Sequence, residues 1–191
     1  MVFLATDHDE ASAIEALTHD SDRAAAILAC TLLEARLKRT IMSHLHKDEK
    51  ITRDMFKVTG ALGNFGTQVN LGFLIGIYAE PFRKELETIK EIRNDFAHKA
   101  NVTSFKNARI SSLAMNLKIL EHFVLGVRHD GFVGAEFTYT GYGPRRITIH
   151  SLNRGKLLND PRERYVTTCQ VLAHLLAALH EAPITLREPT L

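Results

Sequence analysis

The sequence predicts a mainly α fold, a multi-helix bundle with a small β-hairpin insertion near 135–150. Three observations predict it. Apolar residues recur at spacings of three and four over most of the chain. Ser21, Thr67, Pro81, Asp160 and Pro161 stand where helices start. Only the stretch between Asp130 and Asp160 changes texture, with Gly131, Gly134, Gly141, Gly143 and Pro144 around two alternating, β-branched runs.

The elements follow in order. Asp7, Asp9, Glu10 and Glu15 make the start acidic, and a short helix is expected over 9–17. Ser21 is an N-cap with Asp22 in the first turn, and a long amphipathic helix is expected over 22–46. Its apolar stripe is read as Ala24, Ile27, Leu28, Thr31, Leu32, Ala35, Ile41, Met42 and Leu45. A short helix over 53–57 precedes a glycine-broken turn at 60–66. Thr67 caps a helix over 67–79, whose apolar Leu71, Leu74, Ile75 and Tyr78 exceed one stripe. Burial on two sides is expected there, as a central helix in preference to a dimer face. Pro81 opens a helix with Phe82, Leu86, Ile89, Ile92 and Phe96 on one side. Residues 101–104 form a turn and cap, and a further helix runs to about Val127. Residues 136–139 and 146–150 alternate as hairpin strands. Asp160 and Glu163 form a capping-box pattern, and the last helix runs from about Pro161 to Glu181.

One helical domain over 1–191 is expected, with a core at 21–128, an insertion at 131–158 and a C-terminal helix at 160–182 packed on the core. The 191 residues suffice to bury a core without disulfides or metal. With 24 Lys and Arg against 22 Asp and Glu, overall charge implies no nucleic-acid partner, so local clusters must carry that argument. Cys30 and Cys169 lie in apolar runs without metal or redox spacing and read as buried reduced thiols. No basic leader segment and no apolar stretch of about 20 residues is present, so a cytoplasmic chain without membrane contact is expected.

The most informative stretch is Ile92-Arg93-Asn94-Asp95-Phe96-Ala97-His98. Arg93, four residues, then His98 resembles the Arg-x4–6-His signature of HEPN domains, helical bundles that include many ribonucleases and toxins. A wider resemblance covers residues 21 to about 125. It is carried by Ser21-Asp22-Arg23-Ala24-Ala25-Ala26-Ile27, by Leu62-Gly63-Asn64-Phe65-Gly66-Thr67 and by Ile92 through His98. Together these segments are similar to the mannitol operon repressor family. That resemblance implies an all-helical, non-enzymatic transcription regulator acting as a homo-oligomer. Residues 131–160 have no counterpart in it.

The HEPN resemblance implies metal-independent RNA cleavage at a site built across a dimer. His98 would act as general acid or base, Arg93 would hold the phosphate and Asn94 would orient the site. Helical geometry puts Arg93 on the shoulder of the apolar stripe and His98 almost opposite it, near Glu87 and Glu91. Those carboxylates would repel a phosphate. The bland alternative is that Arg93 bridges to a carboxylate, Asn94 satisfies a backbone group and His98 suits a helix C-terminus.

Arg145, Arg146, Arg154, Lys156, Arg162 and Arg164 follow Phe137, Tyr139 and Tyr142. Basic residues beside aromatics on a glycine-rich hairpin fit a nucleic-acid contact, with Arg145, Arg146, Arg154 and Lys156 as its candidates. A solvated flap fits the same residues. Gly60, Gly63 and Gly66 lack the Gly-Lys-Ser/Thr of a phosphate loop. Asp7-His8-Asp9 and His44-Leu45-His46 are poor metal sites, so neither metal nor cofactor is expected. A homodimer is expected, with DNA or RNA as possible partner. Three functions stay open: repressor-like regulator, metal-independent endoribonuclease of toxin or defence type, and protein-interaction scaffold.

Overall fold

The computed structural model describes residues 21–120, 132–139, 145–153 and 159–181, the strands among them by backbone pairing. It is mainly helical, with six helices among the described residues. The helix expected over 9–17 lies outside them, as do Arg154 and Lys156.

Helix α1, Asp22–His44, starts where Ser21 accepts a hydrogen bond from the Ala24 N–H. Its buried face is Ala25, Ala26, Ala29, Cys30, Leu33, Leu37, Thr40 and Ile41. The stripe expected from the sequence lies almost opposite this face, and of its members only Ile41 is buried. Thr31, Ala35 and Met42 are exposed, and Ala24, Ile27, Leu28 and Leu32 are half-buried. The reason is that α1 is small or apolar around most of its girth, so spacing alone does not choose a face. Each fully buried Leu33, Leu37 and Ile41 contributes roughly 1.5–3 kcal/mol.

Helix α2, Glu49–Phe56, begins earlier than expected because Asp48 caps it, accepting from the Ile51 N–H at 2.8 Å. Only Phe56 is buried in it, with the Lys38 ammonium 5.7 Å from its ring centroid. The turn after α2 needs Gly63, where a Cβ would fall 2.2 Å from the Lys57 carbonyl oxygen. Helix α3, Phe65–Leu74, is capped by Asn64, not Thr67; the Asn64 Oδ1 accepts from the Gly66 N–H at 2.8 Å. It stops at Gly76, whose φ of 76° no β-branched residue tolerates well, so the expected span of 67–79 is too long. Nor is α3 central. Leu74 is 78% exposed and Leu71 and Ile75 are only half-buried.

Helix α4, Glu80–His98, has Pro81 in its first turn and buries Leu86, Ile89, Ile92 and Phe96 along one side. Phe82 stacks on Tyr78 with centroids 4.7 Å apart. Helix α5, Ala108–Met115, is far shorter than the helix expected to run to Val127. Tertiary bonds interrupt it: the Lys118 N–H donates to Glu85 at 2.8 Å, and the Leu117 carbonyl accepts from Arg164 Nε at 2.9 Å. Strands β1, Phe132–Tyr139, and β2, Arg145–Asn153, pair antiparallel from Phe132↔Asn153 to Tyr139↔Arg145, with an irregularity between Val133 and Ala135. Helix α6, Pro161–Glu181, starts at Asp160, whose Oδ1 accepts from the Arg162 N–H at 2.9 Å.

α6 lies along α1. Tyr165 Oη donates to the Ala26 carbonyl at 3.0 Å, and Thr40 Oγ1 donates to the Leu176 carbonyl at 2.9 Å. Numbers rise together in the two bonds, so the helices run parallel. The small Ala25, Ala26 and Ala29 let them approach closely. At the start of α1, Asp22 gathers three partners: Ser104 Oγ at 2.7 Å, the Phe105 N–H at 2.9 Å and Arg162 Nη1 at 2.9 Å. The neighbouring Arg23 donates to the carbonyls of Lys99 (2.9 Å) and Val102 (2.8 Å) just beyond α4. The Phe105 ring is thereby seated between Phe96 and Tyr165, at centroid distances of 4.9 and 5.3 Å.

Removing the Asp22 carboxylate strands these donors in a half-buried junction. Asp22→Ala should lower the unfolding free energy by about 2–3 kcal/mol in urea melts, since hydrogen bonds to charged groups are the stronger kind. A loss within about 0.5 kcal/mol, the range of an ordinary surface change, would remove the junction as a determinant of the fold.

Candidate functional site

The Arg93–His98 segment occupies the last turns of α4. Arg93 and Asn94 are half-buried, Asp95 and Phe96 are buried, and Ala97 and His98 are exposed. Five residues apart on a helix, Arg93 and His98 point about 140° away from one another. The local fold amplifies that divergence. Arg93 Nη1 donates to Asn94 Oδ1 at 3.0 Å. Its guanidinium is also close enough to Cys30 and Glu34 of α1 and to Tyr165 of α6 for its charge to lower their pKa values. Arg93 thus looks towards the seam where α1 and α6 meet.

Half-buried Glu34 shows what this packing does to a charge. Burial raises its carboxyl pKa above 4.5, and the positive charges of Arg93 and Lys38 pull against that rise. Burial pushes the Cys30 thiol up to about 12, with Arg93 again opposing. The Cys169 thiol is raised too, first by burial and then by Cys30. Both cysteines are buried and free, so neither offers a thiolate nucleophile.

The acidic residues beside the motif are engaged. Glu87 accepts from Arg83 Nη1 at 2.6 Å, and Glu91 forms an ion pair with Arg109. Asp95 is raised by desolvation, but hydrogen bonds and charge from Lys99 and Arg109 outweigh this and hold it below the usual carboxylate range. Lys99 Nζ is 2.6 Å and Arg109 Nε 2.9 Å from its oxygens. These contacts tie α5 to α4 directly beneath the motif. The side chain of His98, the last residue of α4, has no hydrogen-bond partner among the described residues.

In one protomer the arrangement does not place a proton carrier and a phosphate holder around a common atom. A general base needs to be about 2.6–3.2 Å from the proton it removes, directly or through one water. An anion reaching Arg93 would meet the Glu34 carboxylate and would sit on a different side of α4 from His98.

The basic run divides as well. Arg162 is bound to Asp22 and Arg164 to the Leu117 carbonyl, so both serve the fold. Arg145 and Arg146 lie in β2 opposite Tyr139 and Thr138, and Arg154 and Lys156 lie outside the described residues. Read from the sequence, Asp22 has only a first-turn role and Arg162 only a place in the basic run, and Phe105 is not singled out; their joining of three elements escaped that reading. The one signal that could have found them was the Asp22-Arg23 pair at a helix start, carrying more charge than capping requires.

A raised carboxyl pKa in the folded state means the folded chain keeps a proton that the unfolded chain has released. The stability contributed by that proton fades as pH rises above 4.5 through the folded value. Glu34→Gln cannot ionise, so its unfolding free energy should gain on wild type as pH rises from the acid range to neutrality, measured by urea melts at each pH. A difference that stays constant with pH would show that the partial burial of Glu34 does not shift its titration.

No family model matches the chain, and no curated protein matches it. A solved structure to which it is similar is the X-ray structure of the MtlR–HPr complex from Escherichia coli, at 16% sequence identity and a TM-score of 0.49, covering 90% of this chain and 95% of that one.

Proposed function

We propose that this chain is a transcription regulator of repressor type, working without catalysis as a helical homo-oligomer. The sequence resemblance of residues 21–125 to the mannitol operon repressor family suggests it. The observation that carries it is the divergence of Arg93 and His98: the guanidinium faces the α1–α6 seam beside Asn94 and Glu34, and the imidazole faces solvent. Residues that would have to meet on one phosphate are instead spent on packing and on a helix end. In this reading Arg145, Arg146, Arg154 and Lys156 of the 131–158 insertion supply the nucleic-acid contact. They are the part of the basic run that remains once Arg162 and Arg164 are assigned to the fold.

The competing reading is a metal-independent endoribonuclease using Arg93, Asn94 and His98 across a dimer. One observation favours it: His98 is exposed at the end of α4, where a second copy could approach.

Two measurements separate these readings. Purified protein incubated with single-stranded and structured RNA in EDTA should cleave no more than His98→Ala does; cleavage by wild type alone would replace the regulator with the nuclease. DNA affinity should fall steeply with salt. Because each neutralised phosphate contributes about 0.9 to the slope of log K against log salt, Arg145→Ala/Arg146→Ala should flatten it by about 2. DNA binding that is absent or independent of salt would leave only a protein-interaction scaffold.

A further inference from the structure

Two nucleophilic side chains of the core are left without a chemical task by the regulator reading. Cys30 of α1 and Cys169 of α6 are 0% and 2% exposed, and both are free thiols. Two hydrogen bonds set the register that brings them together. The Tyr165 hydroxyl donates to the Ala26 carbonyl, and the Thr40 hydroxyl donates to the Leu176 carbonyl. On α1, Cys30 lies one turn beyond Ala26, on the buried stripe Ala26, Cys30, Leu33, Leu37 and Thr40. On α6, Cys169 lies one turn beyond Tyr165, on the buried stripe Tyr165, Cys169, Leu172 and Leu176. The two bonds join residues 139 and 136 apart in the chain, which places Cys169 opposite residues 30–33. Of these only Cys30 and Leu33 are buried. Cys30 is near enough to Cys169, and both are near enough to the Tyr165 hydroxyl, for their charges to be felt there.

Helix geometry sets the spacing. The Cα atoms ride about 2.3 Å from a helix axis, and packed axes stand about 8–10 Å apart. Residues that face squarely therefore have Cα atoms about 3.5–5.5 Å apart, and residues turned aside have more. A disulfide needs about 4.4–6.8 Å. The small Ala26 and Ala29 beside Cys30 favour the close end. We propose that Cys30 and Cys169 form an oxidation site, which a hydroperoxide converts to a disulfide stapling α1 to α6. Hydrogen peroxide is small and uncharged enough to enter the seam. One thiolate attacks an oxygen and the O–O bond breaks; the hydroxide takes the released proton and leaves as water, and a sulfenic acid remains. The second sulfur attacks the first and the S–O bond breaks; that hydroxide leaves as water with the second proton. Two thiols thus lose two electrons, and one peroxide becomes two waters. Cys30 is the better first sulfur, since the Arg93 charge favours its thiolate. Burial keeps both thiols protonated while the seam is closed, so the rate follows the openings that admit the oxidant.

The inference goes beyond the regulator reading and stands or falls without it. The test uses the full chain, folded, in buffer with hydrogen peroxide. Remaining thiols are alkylated in denaturant, and the protein is digested without reductant for mass spectrometry. The peptides holding Cys30 and Cys169 should appear joined within one chain, two hydrogens lighter than their sum. The Tm should rise by about 5–15 °C, because the bond closes a loop over most of the chain. Dithiothreitol should return it to the starting value. Cys30→Ala and Cys169→Ala should show neither the joined peptide nor the rise. If an alanine variant fails to fold, the peptide map and Tm of the wild type decide alone. A wild type that keeps both thiols, or oxidises each separately to sulfinic or sulfonic acid, overturns the proposal. So does a Cys30–Cys30 or Cys169–Cys169 link between copies, or a Cys30–Cys169 link that leaves the Tm unchanged.

Discussion

The fold hangs on the charged dipeptide at the start of α1. Asp22 and Arg23 face opposite demands. The carboxylate collects the Phe105 N–H, the Ser104 hydroxyl and the Arg162 guanidinium, and the neighbouring guanidinium collects carbonyls from the chain leaving α4. Each group pairs backbone atoms of the turn over 99–105, in which Val102 and Phe105 are buried. Together they fix where α4 ends, where Phe105 enters the core and where α6 begins. The aromatic series Phe96, Phe105 and Tyr165 then carries that placement inwards, and the Tyr165 hydroxyl returns it to α1 at Ala26.

Seen from this junction, the segments that suggested a function are also those that shape the chain. Asp22 and Arg23 build the junction. Gly63 and Asn64 make the tight entry to α3. Asp95 holds α5 to α4 through Arg109, and Arg93 supplies a positive charge to a seam that contains Glu34 and two buried thiols. Among the polar residues of the motif, only His98 has no structural task among the described residues. A sequence signature that combines such residues reports on packing as readily as on chemistry, which is why the regulator reading is preferred to the nuclease.

Much of the helical framework was legible in the chain. Ser21, Pro81 and Asp160 marked true starts, and the Leu86–Ile89–Ile92–Phe96 stripe has the phase that spacing assigned to it. The errors share a cause, which is that tertiary contacts decided between locally equal choices. Alternative apolar faces compete on α1, and α6 selected the one with small residues. Asn64 and Thr67 both cap well, and the Gly63 turn selected the first. The sequence beyond Met115 is periodic enough to stay helical, but Glu85 and Arg164 seize its backbone at Leu117 and Lys118. For the candidate site, the divergence of Arg93 and His98 followed from helical geometry. The neighbours that give Arg93 its role, Glu34, Cys30 and Tyr165, come from two other helices and no local pattern announces them.

The account stands on the junction being part of the cooperative core. Native-state hydrogen exchange at the Phe105 amide, whose partner is the Asp22 carboxylate, reads this directly. The account predicts that this amide exchanges only through global unfolding, with an opening free energy equal to that from urea melts and the same denaturant dependence. Exchange through a local opening of small free energy, insensitive to denaturant, would contradict it, because the residue that seats the aromatic core would then be held by something other than the start of α1.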